Sequence, residues 1–587
     1  MCGITAIFTY RPSARSFPRP ELDSITERMR PRGPDSGATW TSPDGRVGLG
    51  SRRLAIIDPT PDGAQPMFST EGDLAIVFNG EIYNYRELRA SIEARGTWFH
   101  SQTDTEVLLH LYRSEGEAML GLLRGMYAFV IWDARERRLF VARDPYGIKP
   151  LYVADDGSTV RLASSVRALL AGGGVSAASD PAGVAGFFLT GSVPEPHTIR
   201  KAVRAVEAGT SFQVMEGTGP TKAVRHYSVA NTLRHASEHL GDARFAQPET
   251  LLRHRVQESV ACHLVADVPI GLFLSAGIDS STLATMATRV ARDPVRTFTL
   301  AFEEFRGVAA DESADAERFA RQLGTIHTTR TVSGAEFRAD LPSIIDAMDQ
   351  PTVDGVNTWF VSKAVHEAGL KVALSGLGGD ELFGSYSSFR NVPRLVAIGR
   401  VPVLSWAARL ARRHPKAALI GRFSSTYAGA YLLQRGLFLP SELPSIMGED
   451  AAREGLAQLQ IMELIQAAIT PDPATEYGRV ATLEACLYMR NQLLRDADWA
   501  SMAHSVEVRT PLVDAALLRQ VAPLLLARRG ASKEDFGADL PPWLRQRRKS
   551  GFSVPMREWL DLPPDGTSTR MRSWARRVFD LYAASSR

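Results

Sequence analysis

Cysteine is scarce in this chain. Cys2, Cys262 and Cys486 are the three present, far apart, with no C-x-x-C or zinc-ligand spacing. That excludes a disulfide framework or cysteine metal centre and suits a reducing, cytoplasmic setting. Long apolar runs are missing too: no stretch reaches the ~18 residues of a membrane span. The first residues lack the basic-then-apolar pattern of a secretory leader. Net charge is nearly absent, 68 Lys and Arg against 65 Asp and Glu, so neither nucleic acid nor a membrane is expected as a partner. No internal repeat is visible. What remains is ordinary globular content, 44% hydrophobic over 587 residues, enough for two or more domains.

One stretch organises the rest. Val268 to Leu274 is an apolar run of buried-strand length. Ser275-Ala276-Gly277-Ile278-Asp279-Ser280-Ser281 follows, and good helix formers come next. Strand, tight turn and helix N-terminus suit a phosphate, because the first helical turn has unpaired N–H groups and a positive dipole end. Gly277 lets the backbone approach an anion, and Ser275, Ser280 and Ser281 add hydroxyls. Asp279 would repel a phosphate unless a cation lies between them, so the residue types suggest a magnesium nucleotide. No Lys follows in the spacing of the nucleoside-triphosphatase loop. Ser275 is not in G-x-S-x-G.

This loop resembles the pyrophosphate loop of the ATP pyrophosphatases, usually S-G-G-x-D-S, with Ala276 in place of a glycine. The replacement is tolerable if Ala276 has a negative φ.

The chain opens Met1-Cys2-Gly3-Ile4. Loss of Met1 would leave an N-terminal cysteine whose own α-amine can take the thiol proton. Arg30 to Asp35, Ser51 to Asp58, Asn79 to Tyr85 and Thr103 to Glu106 then follow in order. Together these segments resemble the class II glutamine amidotransferase domain. The resemblance implies that Cys2 attacks the glutamine side-chain amide and that Asn79 and the Gly80 N–H form the oxyanion hole. It also implies a glutamine pocket of Arg53, Leu54, Ile56, Asn79, Glu81 and Asp104. Arg53 would face the α-carboxylate and Asp104 the α-ammonium. Asn79-Gly80 alone would read as a hairpin turn. Arg143 to Tyr152 and Gly191 to Pro196 read as structural turns. Ser165 stands where this family usually has Glu. Residues 205–248 are Gly-punctuated and read as a domain boundary.

Val372 to Gly384 contains a second apolar strand, glycine-rich turn and acids. It resembles the S-G-[DE]-G-x-D-E motif of asparagine synthetases. Ser375 and Gly376 are carried over to ATP, and Asp279 and Asp380 to Mg²⁺, which takes one or two carboxylates plus phosphates. Phe273 and Leu300 are carried over to the adenine. Leu377 departs from the motif, where aspartate-using enzymes have an acid. Asn491 to Leu512 resembles the family's later charged helix, and Arg547 to Pro555 its C-terminal segment. The lysine segment before Leu540-Pro541 is disturbed, and Lys533 is the nearest candidate for a catalytic cation.

The resemblance implies an α/β multidomain chain. Residues 1–225 would form an αββα sandwich of the N-terminal nucleophile hydrolase type. Residues 226–587 would form a parallel-sheet α/β ATP-pyrophosphatase domain, adenine nucleotide alpha hydrolase-like. The implied activity is a glutamine-dependent amidotransferase using ATP and Mg²⁺ on a small-molecule carboxylate other than aspartate. A homodimer is compatible with it. Asparagine synthetase proper is opposed by Leu377, a β-lactam synthetase by Cys2, and a non-catalytic glutamine sensor by Asp279 and Asp380.

Overall fold

The structure is a computed structural model. It describes residues 2–240, 247–308, 311–401, 421, 423–528, 531–547, 554–560 and 567–585. Met1 and Arg548 to Ser553, within the C-terminal segment singled out above, lie outside the described residues.

The first half stacks two antiparallel sheets. One runs in the order Arg204–Ala205, Tyr152–Asp155, Thr159–Ala163, Cys2–Thr9, Val47–Arg53, Ser36–Thr41. The other contains Thr210–Met215, Arg138–Arg143, Gly125–Asp133 and Leu74–Ile82 as its central strands. Period-two alternation explains the stacking. Along Cys2–Thr9, residues Cys2, Ile4, Ala6 and Phe8 face the other sheet. Ile7 faces outward, toward the helix Arg19–Arg28. Leu74–Ile82 does the same, with Ala75 and Val77 between the sheets and Ile76 and Phe78 against the helix Asp104–Glu115. The result is the expected αββα sandwich.

Asn79-Gly80 is no turn: it lies inside Leu74–Ile82, opposite Ala128 and Tyr127. A Cβ on Gly80 would come 2.1 Å from the Met126 carbonyl oxygen, so close strand packing demands the glycine. The Gly-punctuated stretch from 205 also begins with sandwich strands, Thr210–Met215 and Val224–Arg225; its glycines mark the turns between them. Arg143 to Tyr152 is a turn built on buried Asp144, which accepts from the N–H groups of Tyr146, Ile148 and Lys149.

The second half carries five parallel strands in the order Ile326–Val332, Arg296–Phe302, Ile270–Phe273, Val372–Leu374, Glu507–Arg509. The chain leaves Ile270–Phe273 toward one edge, and the strands from Val372 onward fill the other. The switch point therefore lies between Ile270–Phe273 and Val372–Leu374. In open α/β sheets, ligands bind in the crevice at such a point, beyond the strand C-termini. The two glycine-bearing loops, 274–277 and 375–378, both end there.

The halves are sealed together. Arg32 grips Asp498 through two bonds of 2.7 and 3.0 Å. Arg124 holds Asp514, and Lys371 reaches Asp35 at 2.7 Å. Ser165 caps the helix Val166–Ala171 and donates to Asp349 at 2.6 Å. Asp498 projects from a helix preceded by a π-helical segment, Glu484–Leu494, a wide winding often found at functional sites.

Candidate active sites

The first site sits at the start of Cys2–Thr9. Cys2 is the cross-strand partner of Arg53. The Cys2 N–H donates to Asn79 Oδ1 at 3.0 Å. The Asn79 Nδ2 donor is buried and has no partner among the described residues, the disposition an oxyanion hole requires. Burial pushes the Cys2 thiol up, opposed by the Leu54 N–H and the Arg53 charge. Arg53 is clamped: its guanidinium donates to the carbonyls of Thr60, Ile57 and Asp58 at 3.1, 3.1 and 2.6 Å. Leu54 and Ile56 are buried in the segment that follows.

Asp104 is the first residue of Asp104–Glu115, where the cap residue Thr103 accepts from the Glu106 N–H. Its Oδ2 accepts from the Ile82 N–H at 2.9 Å. Burial pushes its pKa up to about 6. Glu81 is turned elsewhere. It pairs with Arg509 of the other half at 3.1 Å, and Arg509 also holds Glu507 at 2.5 Å. Burial, aided by nearby Glu507, pushes Glu81 well above the usual carboxylate range. Arg509 has no exposed side-chain surface and is tied further to the carbonyls of His263 and Val265. Its length and charge give no hint in the sequence that it reaches the first half.

The second site is a cavity of about 540 Å³ at the sheet's switch point. Phe273, Ser275, Gly277, Asp279, Ser280, Leu300, Ser375, Gly376, Leu377, Asp380 and Lys533 all line it. The loop is self-braced, with Ser280 Oγ accepting from the Ser275 N–H at 3.2 Å. Gly277 is the cap of the helix Ile278–Val290. Two expectations fail here. Ala276 has φ +51, left-handed rather than negative, because the strand must reverse within one residue to start the helix. Ser281 is fully buried and does not line the cavity; one residue further round the helix, it points into the core.

Lys533 is brought in by its neighbours. Ser532 and Asp535 cap the short helix Lys533–Phe536 reciprocally. This fixes Lys533 at the helix start, where its ammonium donates to Asp279 at 2.6 Å and to Asp380 at 2.7 Å. Burial alone would lower its pKa, but the two carboxylates hold it above the ordinary value. Gly379 allows the approach, since a Cβ there would lie 2.5 Å from Asp279 Cγ. Beside Arg547, from the C-terminal segment read above, the cavity also takes in Asp354, Tyr386, Tyr488 and Asp496, to which the sequence alone assigns no role. No periodicity or loop motif marks them; only the topology gathers them.

Two such centres, an N-terminal cysteine beside a buried carboxamide and a carboxylate-lined cavity at a parallel-sheet switch point, define a glutamine-hydrolysing, ATP-dependent ligase. Residues 1–227 match the glutamine amidotransferase domain and residues 251–582 match asparagine synthase, so the chain belongs to the asparagine synthase family. Asparagine synthetase [glutamine-hydrolyzing] 1 of Bacillus subtilis strain 168 is 31% identical over 600 residues, covering 98% of this chain and 90% of that one. A putative asparagine synthetase of Mycobacterium tuberculosis strain H37Rv is 31% identical, covering 95% and 88%. Amidase chry2 of Gibberella zeae is 31% identical over 427 residues, covering 66% and 60%.

Proposed function

We propose that the chain hydrolyses glutamine at Cys2 and uses the ammonia to amidate a carboxylate other than aspartate. The observation that carries this reading is the junction of Lys533, Asp279 and Asp380 beside Leu377. A cluster of one lysine and two aspartates lines the cavity, which supports an ATP site, and the neighbouring lining residue Leu377 is apolar.

At the first site the Cys2 thiol attacks the glutamine Cδ and the Cys2 amine, once freed of Met1, takes its proton. Asn79 Nδ2 and the Gly80 N–H receive the oxyanion. Ammonia leaves, and water cleaves the thioester to glutamate. Arg53 has three of its five N–H groups committed to main-chain carbonyls, which orients the rest. At the second site the acceptor carboxylate attacks the α-phosphorus of ATP and displaces pyrophosphate. Ammonia then attacks the acyl-adenylate, loses a proton and expels AMP. The Lys533 ammonium holds the phosphate region in place for that exchange. Asp279 and Asp380 fit Mg²⁺ by donor type, as two hard carboxylates drawn to one cation, and the ion would neutralise phosphate charge when bound.

The identity to named asparagine synthetases over nearly the whole chain favours a second reading, in which the acceptor is aspartate. The test is conversion of ATP to AMP and pyrophosphate with ammonium as nitrogen source, across aspartate and other carboxylic acids. Turnover is expected with a non-aspartate acid and little with aspartate. Robust aspartate turnover would restore the second reading. Glutamine hydrolysis with no adenylation of any acid would end the ligase reading.

A further inference from the structure

Among the described residues, five acids and two cations line the cavity. Both cations are already engaged by carboxylates. Lys533 holds Asp279 and Asp380. Arg547 holds Glu312 at 2.9 Å and Asp315 at 2.8 Å. The remaining two acids, Asp354 and Asp496, have no ion pair among the described residues. They are held by neutral donors instead. Asp496 accepts from Trp499 Nε1 at 2.8 Å and from Thr352 Oγ1 at 3.0 Å. Asp354 accepts from the Gly355 N–H at 2.9 Å. Leu377, Leu493, Ala497 and Tyr488 add uncharged lining to the same cavity.

Among the described lining residues, a second carboxylate on the acceptor would find no cation that is not already paired. It would instead crowd Asp354 and Asp496 in a low-dielectric cavity, where three carboxyl groups stay ionised together only at high cost and the surplus ones must take up protons. We infer that the acceptor is a monocarboxylic acid whose remainder is neutral or cationic, and that Asp354 and Asp496 are the residues that exclude dicarboxylates. The inference rests on the ligase reading above and narrows it to a substrate class. Burial raises the pKa of both acids, and an ammonium or hydroxyl group on the acceptor relieves that cost by donating to them.

The experiment uses the full-length enzyme, ATP, Mg²⁺ and ammonium, with pyrophosphate release as the readout. Acceptors are paired so that one carboxylate is the difference: β-alanine against aspartate, 4-aminobutyrate against glutamate, butyrate against succinate. Binding of the same acids to enzyme saturated with α,β-methylene-ATP is measured in parallel. The expected result is a preference of about a hundredfold for the monocarboxylate of a pair in kcat/KM or affinity. In Asp354→Asn/Asp496→Asn that preference shrinks at least about tenfold, through better dicarboxylate use. A second form, Asp496→Asn alone, guards against misfolding of the double variant, and its ratio moves in the same direction. Equal or better use of the dicarboxylates overturns the inference. So does an unchanged ratio in the variants, or failure of every monocarboxylate in both assays. Turnover of aspartate or glutamate would overturn the substrate class while leaving the ligase reading intact. Absence of any ATP cleavage with retained ATP binding would strike the ligase reading itself.

Discussion

The two reaction centres are built in opposite ways. The Cys2 site is made from adjacent antiparallel strands, its side chains fixed by main-chain partners and buried from solvent. The Lys533 site is made from loops at one end of a parallel sheet, and its charged groups hold each other. In the first, geometry is set by strand register, which pairs Cys2 with Arg53 and places Asn79 on the next sheet. In the second, geometry is set by charge, since Lys533 joins residues 254 and 153 positions away. A site written into a sheet tolerates little change of residue but survives changes of charge elsewhere. A site assembled by ion pairing responds to every charge that enters it, including the substrate's.

The strongest way to test that separation is reciprocal substitution. Cys2→Ala removes the nucleophile, and glutamine-driven amidation should fall at least ~10⁴-fold. Ammonium-driven amidation should stay within about threefold. Lys533→Met should do the reverse, lowering pyrophosphate release by ~10²-fold or more and leaving glutamate production nearly unchanged. Parallel loss of both activities in either variant would show that the centres do not divide the work.

The next effect is structural, at the seam between them. Arg509 is fully buried and serves Glu81, Glu507 and two carbonyls. Removing one partner of a buried ionic network leaves the others uncompensated. Arg509→Met should cost about 3–5 kcal/mol of stability, read as a lower midpoint in urea. Arg479→Met, whose partner Asp472 is largely exposed, should cost under about 1 kcal/mol. Similar losses for the two would remove the argument that the seam is held by buried charge.

The pH dependence sharpens the contrast further. Asp104, raised to about 6 by burial, would have to be ionised to hold the glutamine ammonium that the resemblance assigns to it. Above that pH the free enzyme is already charged. Below it, binding requires loss of a proton, so affinity falls as pH falls. In the Cys2→Ala variant the Kd for glutamine should rise about tenfold per unit below pH 6. An unshifted aspartate would keep its affinity until pH ~4. Calorimetry across pH 4.5 to 7.5 separates the two.

How much of this was readable beforehand follows the same division. Motif order, through the resemblance it carries, located Cys2, Arg53, Asn79 and Asp104; strand register then sets Cys2 against Arg53. Asp279 and Asp380 were named together for Mg²⁺ and Lys533 as a catalytic cation, but the pairing of Lys533 with both was not, since neither period nor spacing encodes an ion pair over such separations. Asp354 carries no local signal, and Asp496 and Arg509 were seen only as members of the segment Asn491 to Leu512, without a role of their own. Asp496 sits in an ordinary charged helix, and only tertiary packing turns it toward the cavity. Asn79-Gly80 read locally as a turn; the strand overrode that preference, with Met126 leaving no room for a side chain at Gly80.

Ala276 makes the smallest and most informative test. The residue occupies left-handed space at φ +51 with its methyl buried. For an L-residue that conformation costs roughly 1–2 kcal/mol. Glycine would remove the strain but add unfolded-state freedom of about 0.4–1 kcal/mol and lose the packed methyl. Ala276→Gly should therefore change stability by no more than about 1 kcal/mol, in the stabilising direction if strain dominates. The KM for ATP should move less than about threefold, because Ser275, Gly277 and Ser280 brace the loop through their own hydrogen bonds. A loss of activity beyond about tenfold would mean that the methyl, and not the serine brace, holds the phosphate-facing turn. The loop site would then share the rigidity of the Cys2 site, and the contrast between register and charge would fail at its weakest point.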